Sequence, residues 1–349
     1  MKYSVIVPVF NRPDEVDELL ESLTRQTLKD FEVIVVEDGS KTPCKDVCAK
    51  YADVLALHYY YKENSGPGQS RNYGAERANG EWLIILDSDV VLPERYFESV
   101  EVGEWVCFGG PDAAHPSFTP IQKAISYSMT SFFTTGGIRG GSSPLRGERG
   151  GALDKFYPRS FNMGIRLDVY LQLGGFSKMR FGEDIDFSYR IVEAGYRPQL
   201  IPEAWVWHKR RTDFRKFFRQ VYNSGIARIN LEKRHPGTMK LVHLLPTVFT
   251  VGVIALVLIS AVGRALMYYV DRDQFYWICF APWIPILFYS LIIFIDSSIK
   301  NKSMHVGLLS IPAAFTQLMG YGLGFIESWW KRCVLKKDEF TAFEKNFYK

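Results

Sequence analysis

Three apolar stretches, residues 241–263, 275–295 and 306–326, contain no Lys, Arg, Asp or Glu and crowd into the last third of a 349-residue chain. Each is close to the ~20 residues that a helix needs to cross a bilayer. Buried core helices can be as apolar, but three such runs in succession point to membrane insertion. Upstream of them, charged, polar and apolar residues are mixed as in a soluble domain. The chain therefore divides into a soluble domain over residues 1–235, a membrane region with three hydrophobic helices over 236–330, and a basic tail over 331–349.

Charge sets the expected orientation. Residues 205–240 hold ten Lys or Arg against only Asp213 and Glu232, which places that side of the first span in the cytoplasm by the positive-inside rule. Met1-Lys2-Tyr3 runs straight into a strand-like segment without the pattern of a signal peptide, so the soluble domain is expected to stay cytoplasmic. The third stretch is less regular. Three full spans would leave Lys331, Arg332, Lys336 and Lys337 outside, and Pro312 with Gly320, Gly322 and Gly324 weakens a straight helix. A re-entrant or interfacial third segment therefore stays open. The net charge of +4 is concentrated beside the membrane segments, which points to anionic lipid head groups rather than nucleic acid. Five cysteines show no zinc-type pairing, and an odd number in a cytoplasmic setting argues for packing residues rather than disulfides.

Within residues 1–235, short apolar runs alternate with helical periodicity. Strands are expected over residues 3–8, 31–36, 55–61 and 82–86, with helices over 14–27, 45–51 and 70–78 between them. That alternation predicts an α/β fold with a doubly wound, mostly parallel sheet. The run Trp82-Leu83-Ile84-Ile85-Leu86 ends abruptly in Asp87-Ser88-Asp89, which reads as a buried strand delivering acids to the carboxyl edge where such sheets bind ligands. Two carboxylates one residue apart there suit a divalent cation and the diphosphate it neutralises. A solvated turn is the alternative, since Asp and Ser are common turn residues.

Two further segments carry unusual composition. Residues 136–151 contain seven glycines with Arg139, Arg146 and Arg149; a long Gly-rich loop of this kind is either a mobile substrate loop or disordered. Gly182-Glu183-Asp184-Ile185-Asp186 opens a helix that runs to Ala194 and stops at Gly195. Acids in a first turn favour the helix dipole, and Asp186 with Arg190 fits an i,i+4 ion pair. Three acids in four residues is nonetheless a dense cluster.

Taken in order, Ser4-Val5-Ile6-Val7-Pro8-Val9-Phe10-Asn11-Arg12, Glu37-Asp38-Gly39-Ser40, Gly66-Pro67-Gly68-Gln69-Ser70-Arg71-Asn72, Asp87-Ser88-Asp89 and Gly182-Glu183-Asp184 resemble a family 2 glycosyltransferase of the GT-A fold. The resemblance covers roughly residues 3–230 and is that of a membrane-anchored bacterial type. It implies that Pro8, Val9, Phe10, Asn11 and Arg12 hold the nucleotide together with Asp38, whose carboxylate would accept the uracil imide proton; a structural Asx-turn is the other reading of Asp38. Gly66 and Arg71 would face the donor at a helix N-terminus, where free N–H groups favour phosphate. An ion pair with an acid would equally explain Arg71. Asp89 would be the direct ligand of Mn²⁺ or Mg²⁺, Asp87 would lie towards the ribose or a metal-bound water, and Ser88 sits between them. His208, ending Trp205-Val206-Trp207-His208, would be a third ligand, although a lone His is often structural.

By the same resemblance Asp184 is the base that takes the acceptor hydroxyl proton, Glu183 orients acceptor or base, and Asn162 with Gly175 borders the acceptor sugar. The implied activity is inverting transfer of one sugar from a nucleotide sugar, with a UDP-sugar favoured, to a lipid-linked glycan acceptor in surface polysaccharide or glycoconjugate synthesis. The enzyme would be a multi-pass protein of the bacterial inner membrane. Two other readings stay in view: a processive polysaccharide synthase, and a catalytically silent nucleotide-binding scaffold. Against the first, Phe218-Arg219-Gln220-Val221-Tyr222 stands where such synthases carry Gln-x-x-Arg-Trp.

Overall fold

The computed structural model describes residues 1–342 apart from 102, 104, 116, 136–155 and 270–275. The Gly-rich segment and the last residues of the basic tail lie outside the described residues. What is described forms two compact units, one drawn from residues 1–115 and 156–209 and the other from 117–135 and 210–342.

The first unit opens with the expected alternation: β1 (Tyr3–Val9), α1 (Pro13–Thr24), β2 (Phe31–Asp38), α2 (Lys45–Ala49), β3 (Leu57–Lys62), α3 (Pro67–Ala75) and β4 (Trp82–Leu86). It continues through β5 (Val90–Val91), α4 (Tyr96–Val100), β6 (Cys107–Gly109) and β7 (Asp112–Ala113). The chain then contributes α5 (Pro120–Thr130) and α6 (Phe132–Thr135) to the second unit. It returns with β8 (Asn162–Arg166), α7 (Leu167–Gln172), α8 (Glu183–Glu193), β9 (Gln199–Leu200) and β10 (Val206–His208).

Seven strands form one sheet in the order β3-β2-β1-β4-β8-β6-β9. β1, β2, β3 and β4 run parallel, and β8 runs antiparallel to both β4 and β6. Strands β1, β2 and β4 are apolar on both faces because a layer covers each. Val5, Val33 and Ile84 bury against Leu19, Leu20 and Leu23 of α1, while Ile6, Ile34 and Ile85 bury with Phe187 and Ile191 of α8. Each such side chain contributes roughly 1.5–3 kcal/mol when fully buried. Helix α3 lies so close to the sheet that a Cβ at Gly74 would sit 2.7 Å from Ile6 Cγ2. It begins three residues earlier than the pattern suggested, because Gly66 turns the chain at φ 93° and Pro67, with its fixed φ, starts the helix. A second sheet, β5-β10-β7, sets His208 opposite Val90.

The second unit is helical: α9 (Phe214–Arg234), α10 (Leu245–Tyr269), α11 (Tyr276–Phe280), α12 (Ile284–Asn301) and α13 (Met304–Trp329) follow α5 and α6. Among the described residues, three helical segments are long and apolar enough to cross a membrane: Leu241–Tyr269, Ala281–Asn301 and Met304–Val334. The boundary between units differs from the expected 1–235 domain, since α9 falls in the helical unit. Its reason is close approach to α13. A Cβ at Gly225 would lie 2.1 Å from Tyr321 O, and one at Gly324 would lie 2.0 Å from Tyr222 O. The glycines of the third stretch therefore do not break it. α13 is continuous through Pro312, and its glycines are where neighbouring helices touch it. Half of its most apolar window is buried, against 11 % for each of the other two segments.

Candidate active site

The turn after β1 is built by Asn11, a non-glycine residue at φ 55°. Its Oδ1 accepts from the N–H groups of Lys41 (2.8 Å) and Thr42 (3.1 Å), and its own N–H donates to Ser40 Oγ at 2.7 Å. These bonds clamp the Pro8–Arg12 turn to the loop after β2. Arg12 is thereby aimed across the carboxyl edge, where Nη1 donates to Asp89 Oδ2 at 2.8 Å and to Glu15 Oε2 at 2.6 Å.

Asp89 meets His208 on its other side. His208 Nε2 lies 3.2 Å from Asp89 Oδ1, and its ring stacks on Phe161 at a centroid distance of 4.8 Å. The backbone fixes this meeting twice: β10 pairs antiparallel with β5, and Lys209 N–H donates to Asp89 O at 3.0 Å. Ser88 is buried in the turn between β4 and β5. One donor atom from each of Asp87, Asp89 and His208 lies within 4.8 Å of the other two. Two hard carboxylate oxygens and an imidazole at this spacing fit a divalent cation such as Mn²⁺ or Mg²⁺.

Arg71 is engaged as an ion-pair partner. Its guanidinium is 3 % exposed and bridges two acids: Nη2 donates to Asp87 Oδ1 at 2.6 Å and Nη1 to Glu183 Oε1 at 2.9 Å. Burial disfavours its charge, and the two carboxylates outweigh that and hold it protonated. Glu183 feels the same burial with the opposite sign. Desolvation pushes its carboxyl up to about 7, with Arg71 opposing and the neighbouring Asp184 adding to the rise. Asp184 opens outward, with Oδ1 accepting from Ile185 N–H at 2.9 Å and Oδ2 lying 3.4 Å from Arg159 Nη1. Asp186 pairs with Arg190, which also donates to Leu173 O and Gly175 O. It serves the fold.

At the end of β2 the acids are engaged by the backbone. Asp38 Oδ1 accepts from Lys62 Nζ and Ser65 N–H, and its Oδ2 accepts from Gly66 N–H at 2.9 Å. Its carboxylate thus holds the loop that starts α3. Lys62 ends β3 directly opposite Asp38 in the parallel register, so a basic strand end beside an acidic one was the sequence signal for this pair. Glu37 is wholly buried, accepting from Cys44 N–H at 2.7 Å and from Ser40 Oγ.

Asn162, expected on the acceptor side, is placed in the interior. Its amide is 0 % exposed, donating to Ala204 O at 2.7 Å and accepting from Tyr96 OH at 2.6 Å. An amide at the end of the antiparallel strand β8 is spent on interior hydrogen bonds. Gly175 is a tight turn at φ 62°, where a Cβ would lie 2.4 Å from Asn72 Oδ1. Asn72, whose role the sequence did not single out, accepts from Tyr170 OH and Phe176 N–H and donates to Phe176 O, fastening that turn to α3. Arg159 was likewise missed, having no motif around it.

A mostly parallel sheet with this acid cluster at its carboxyl edge defines a GT-A-type sugar-transfer fold. The glycosyl transferase family 2 model matches residues 4–120, and the glycosyl transferase family group 2 model matches residues 82–293. The chain belongs to the family 2 glycosyltransferases. An uncharacterized glycosyltransferase of Haemophilus influenzae is 30 % identical over 217 residues, 58 % of this chain and 67 % of its own length. The validoxylamine A glucosyltransferase of Streptomyces hygroscopicus is 29 % identical over 239 residues, covering 58 % of this chain and 54 % of its own length. A pre-mycofactocin glycosyltransferase of Mycobacterium tuberculosis is 26 % identical, covering 75 % of this chain. This chain spans about half the length of the latter two relatives. The fold is shared with a mannosyltransferase from Pyrobaculum calidifontis in complex with GDP-Man and Mn²⁺, at a TM-score of 0.55 and 18 % identity, covering 86 % of this chain and 87 % of that one.

Proposed function

We propose that this glycosyltransferase is a membrane-bound, metal-dependent, inverting enzyme that moves a single sugar from a nucleotide sugar, a UDP-sugar being favoured, to a lipid-linked acceptor. The observation that carries the reading is the convergence of Asp87, Asp89 and His208 within 4.8 Å at the sheet edge, with Glu183, the chain neighbour of Asp184, tied to the same edge through Arg71. Asp87, Asp89 and His208 would hold Mn²⁺ or Mg²⁺. When bound, such a cation neutralises charge on a departing nucleoside diphosphate. The Pro8–Arg12 turn would bind the nucleotide. Asp184, the more open of the two α8 acids, would accept the acceptor hydroxyl proton while that oxygen bonds to the anomeric carbon and the bond to diphosphate breaks. One displacement from the opposite face inverts the configuration.

The three apolar helical segments support a membrane-resident acceptor, with surface polysaccharide or glycoconjugate as the product class and the bacterial inner membrane, catalytic unit towards the cytoplasm, as the setting. Calorimetric titration with UDP and then GDP, with and without Mn²⁺, beside Asp89→Ala, tests the core of the reading. Metal-dependent UDP binding that is lost in the variant is expected. Metal-dependent GDP binding would move the donor to GDP-sugars, and binding of neither would turn the reading towards a silent scaffold.

A further inference from the structure

We infer that Arg71 is a positioning residue that joins the cation site to the acceptor-side acids, so that Asp87 on the sheet edge and Glu183 on α8 are set by one buried guanidinium. Two different nitrogens of the same planar group serve the two acids, at 2.6 and 2.9 Å. The bridge is held from several sides. The guanidinium carbon lies 5.2 Å from the centre of the Phe176 ring, and Phe176 is bonded through both its N–H and its C=O to Asn72, the next residue of α3. Glu183 is pressed against the first turn of α3, where a Cβ at Gly68 would stand 3.2 Å from Glu183 Cγ. With a 3 % exposed arginine, no water shell can replace a lost partner cheaply.

The consequence is a thermodynamic link. A cation at Asp87 competes with Arg71 for the same carboxylate, and Glu183 is the partner that keeps Arg71 satisfied when Asp87 is shared. Removing the charge of Glu183 leaves Arg71 to Asp87 alone and weakens cation binding. By reciprocity, cation binding tightens the Arg71–Glu183 pair.

The inference rests on Asp87 being a cation ligand, and its test separates the two ideas. Mn²⁺ alone is titrated by calorimetry into the full chain in detergent, for wild type, Glu183→Gln, Arg71→Met, Arg71→Lys and the corresponding double variants. Glu183→Gln is expected to weaken Mn²⁺ binding about three- to tenfold when Arg71 is present, and to change it by less than about 1.5-fold when Arg71 is replaced. Arg71→Lys keeps a buried charge but not two separate donors in a fixed fork, so it supplies the comparison if Arg71→Met does not fold. An unchanged Mn²⁺ affinity in Glu183→Gln would overturn the link alone. An equal loss in the Arg71 variants would overturn it too, showing a through-space effect. No Mn²⁺ binding by the wild type would overturn both the link and the cation site.

Discussion

Strands β2 and β4 flank β1 and both stop in acids, yet the two ends are held in different ways. At β2, Glu37 and Asp38 together accept from three backbone N–H groups, those of Cys44, Ser65 and Gly66, with Lys62 Nζ on Asp38 and Ser40 Oγ on Glu37 beside them. At β4, the carboxylates of Asp87 and Asp89 meet side chains: the guanidinium groups of Arg71 and Arg12 and the imidazole of His208. A carboxylate that satisfies buried backbone is part of the fold, because removing it strands donors in the interior. A carboxylate screened by side-chain charge can exchange that partner for a metal ion or a substrate. The difference separates structural acids from candidate chemical ones better than the presence of an acid at a strand end.

That separation can be broken experimentally. The largest effect should come from the open acid of α8. Asp184→Asn is expected to lower the rate of sugar transfer or donor hydrolysis by about 10²–10⁴-fold while leaving UDP affinity intact; an unimpaired rate would remove Asp184 from the chemistry. Next, Asp89→Ala should weaken Mn²⁺-dependent UDP binding by more than the roughly 100-fold that outer-shell changes cause, whereas Asp38→Asn should leave Mn²⁺ affinity where it was. If the two variants behave alike in titration, the contrast between strand ends fails. Glu37→Ala should act on stability instead, costing about 1–3 kcal/mol in chemical denaturation because Cys44 N–H and Ser40 lose their acceptor.

The smallest effect sharpens the contrast by pH. Glu183 is raised from the ordinary 4.5 to about 7 in the folded protein, so the folded state holds this proton more tightly than the unfolded chain. The sign follows: its stabilising contribution is fully present below about 4.5 and is lost as pH rises through about 7. The difference in thermal midpoint between wild type and Glu183→Gln should therefore drift with pH in that window, against the wild type as pH rises, and be flat above it. No drift would mean that Arg71 already keeps Glu183 fully ionised.

Much of the first unit was legible because its signals are local. The helix expected over 14–27 met α1, which buries Val16, Leu19, Leu20 and Leu23, and the apolar runs matched β1, β2 and β4. Legibility ended where a residue's role depends on what reaches it from elsewhere. Arg71 read equally as a phosphate binder or as an ion-pair partner, and only the placement of α8 brings Glu183 to it. Asn162 reads for the acceptor side, and only the pairing of β8 shows that its amide meets Tyr96 and Ala204. The glycines of α13 looked like weaknesses because helix propensity scores them so; in place Gly324 and Gly322 admit the backbones of Tyr222 and Pro246 to close contact.

The sequence by itself determined the alternation of strands and helices, the acids at the strand ends and the three membrane-length segments, since each is written in a period or a run shorter than about 25 residues. Tertiary structure alone decided what each acid touches. His208 reaches Asp89 through the pairing of β10 with β5, Arg71 spans two elements, and Asp38 at the end of β2 takes the N–H of Gly66 at the start of α3. Those outcomes depend on distances between residues far apart in the chain, and no local pattern encodes a distance.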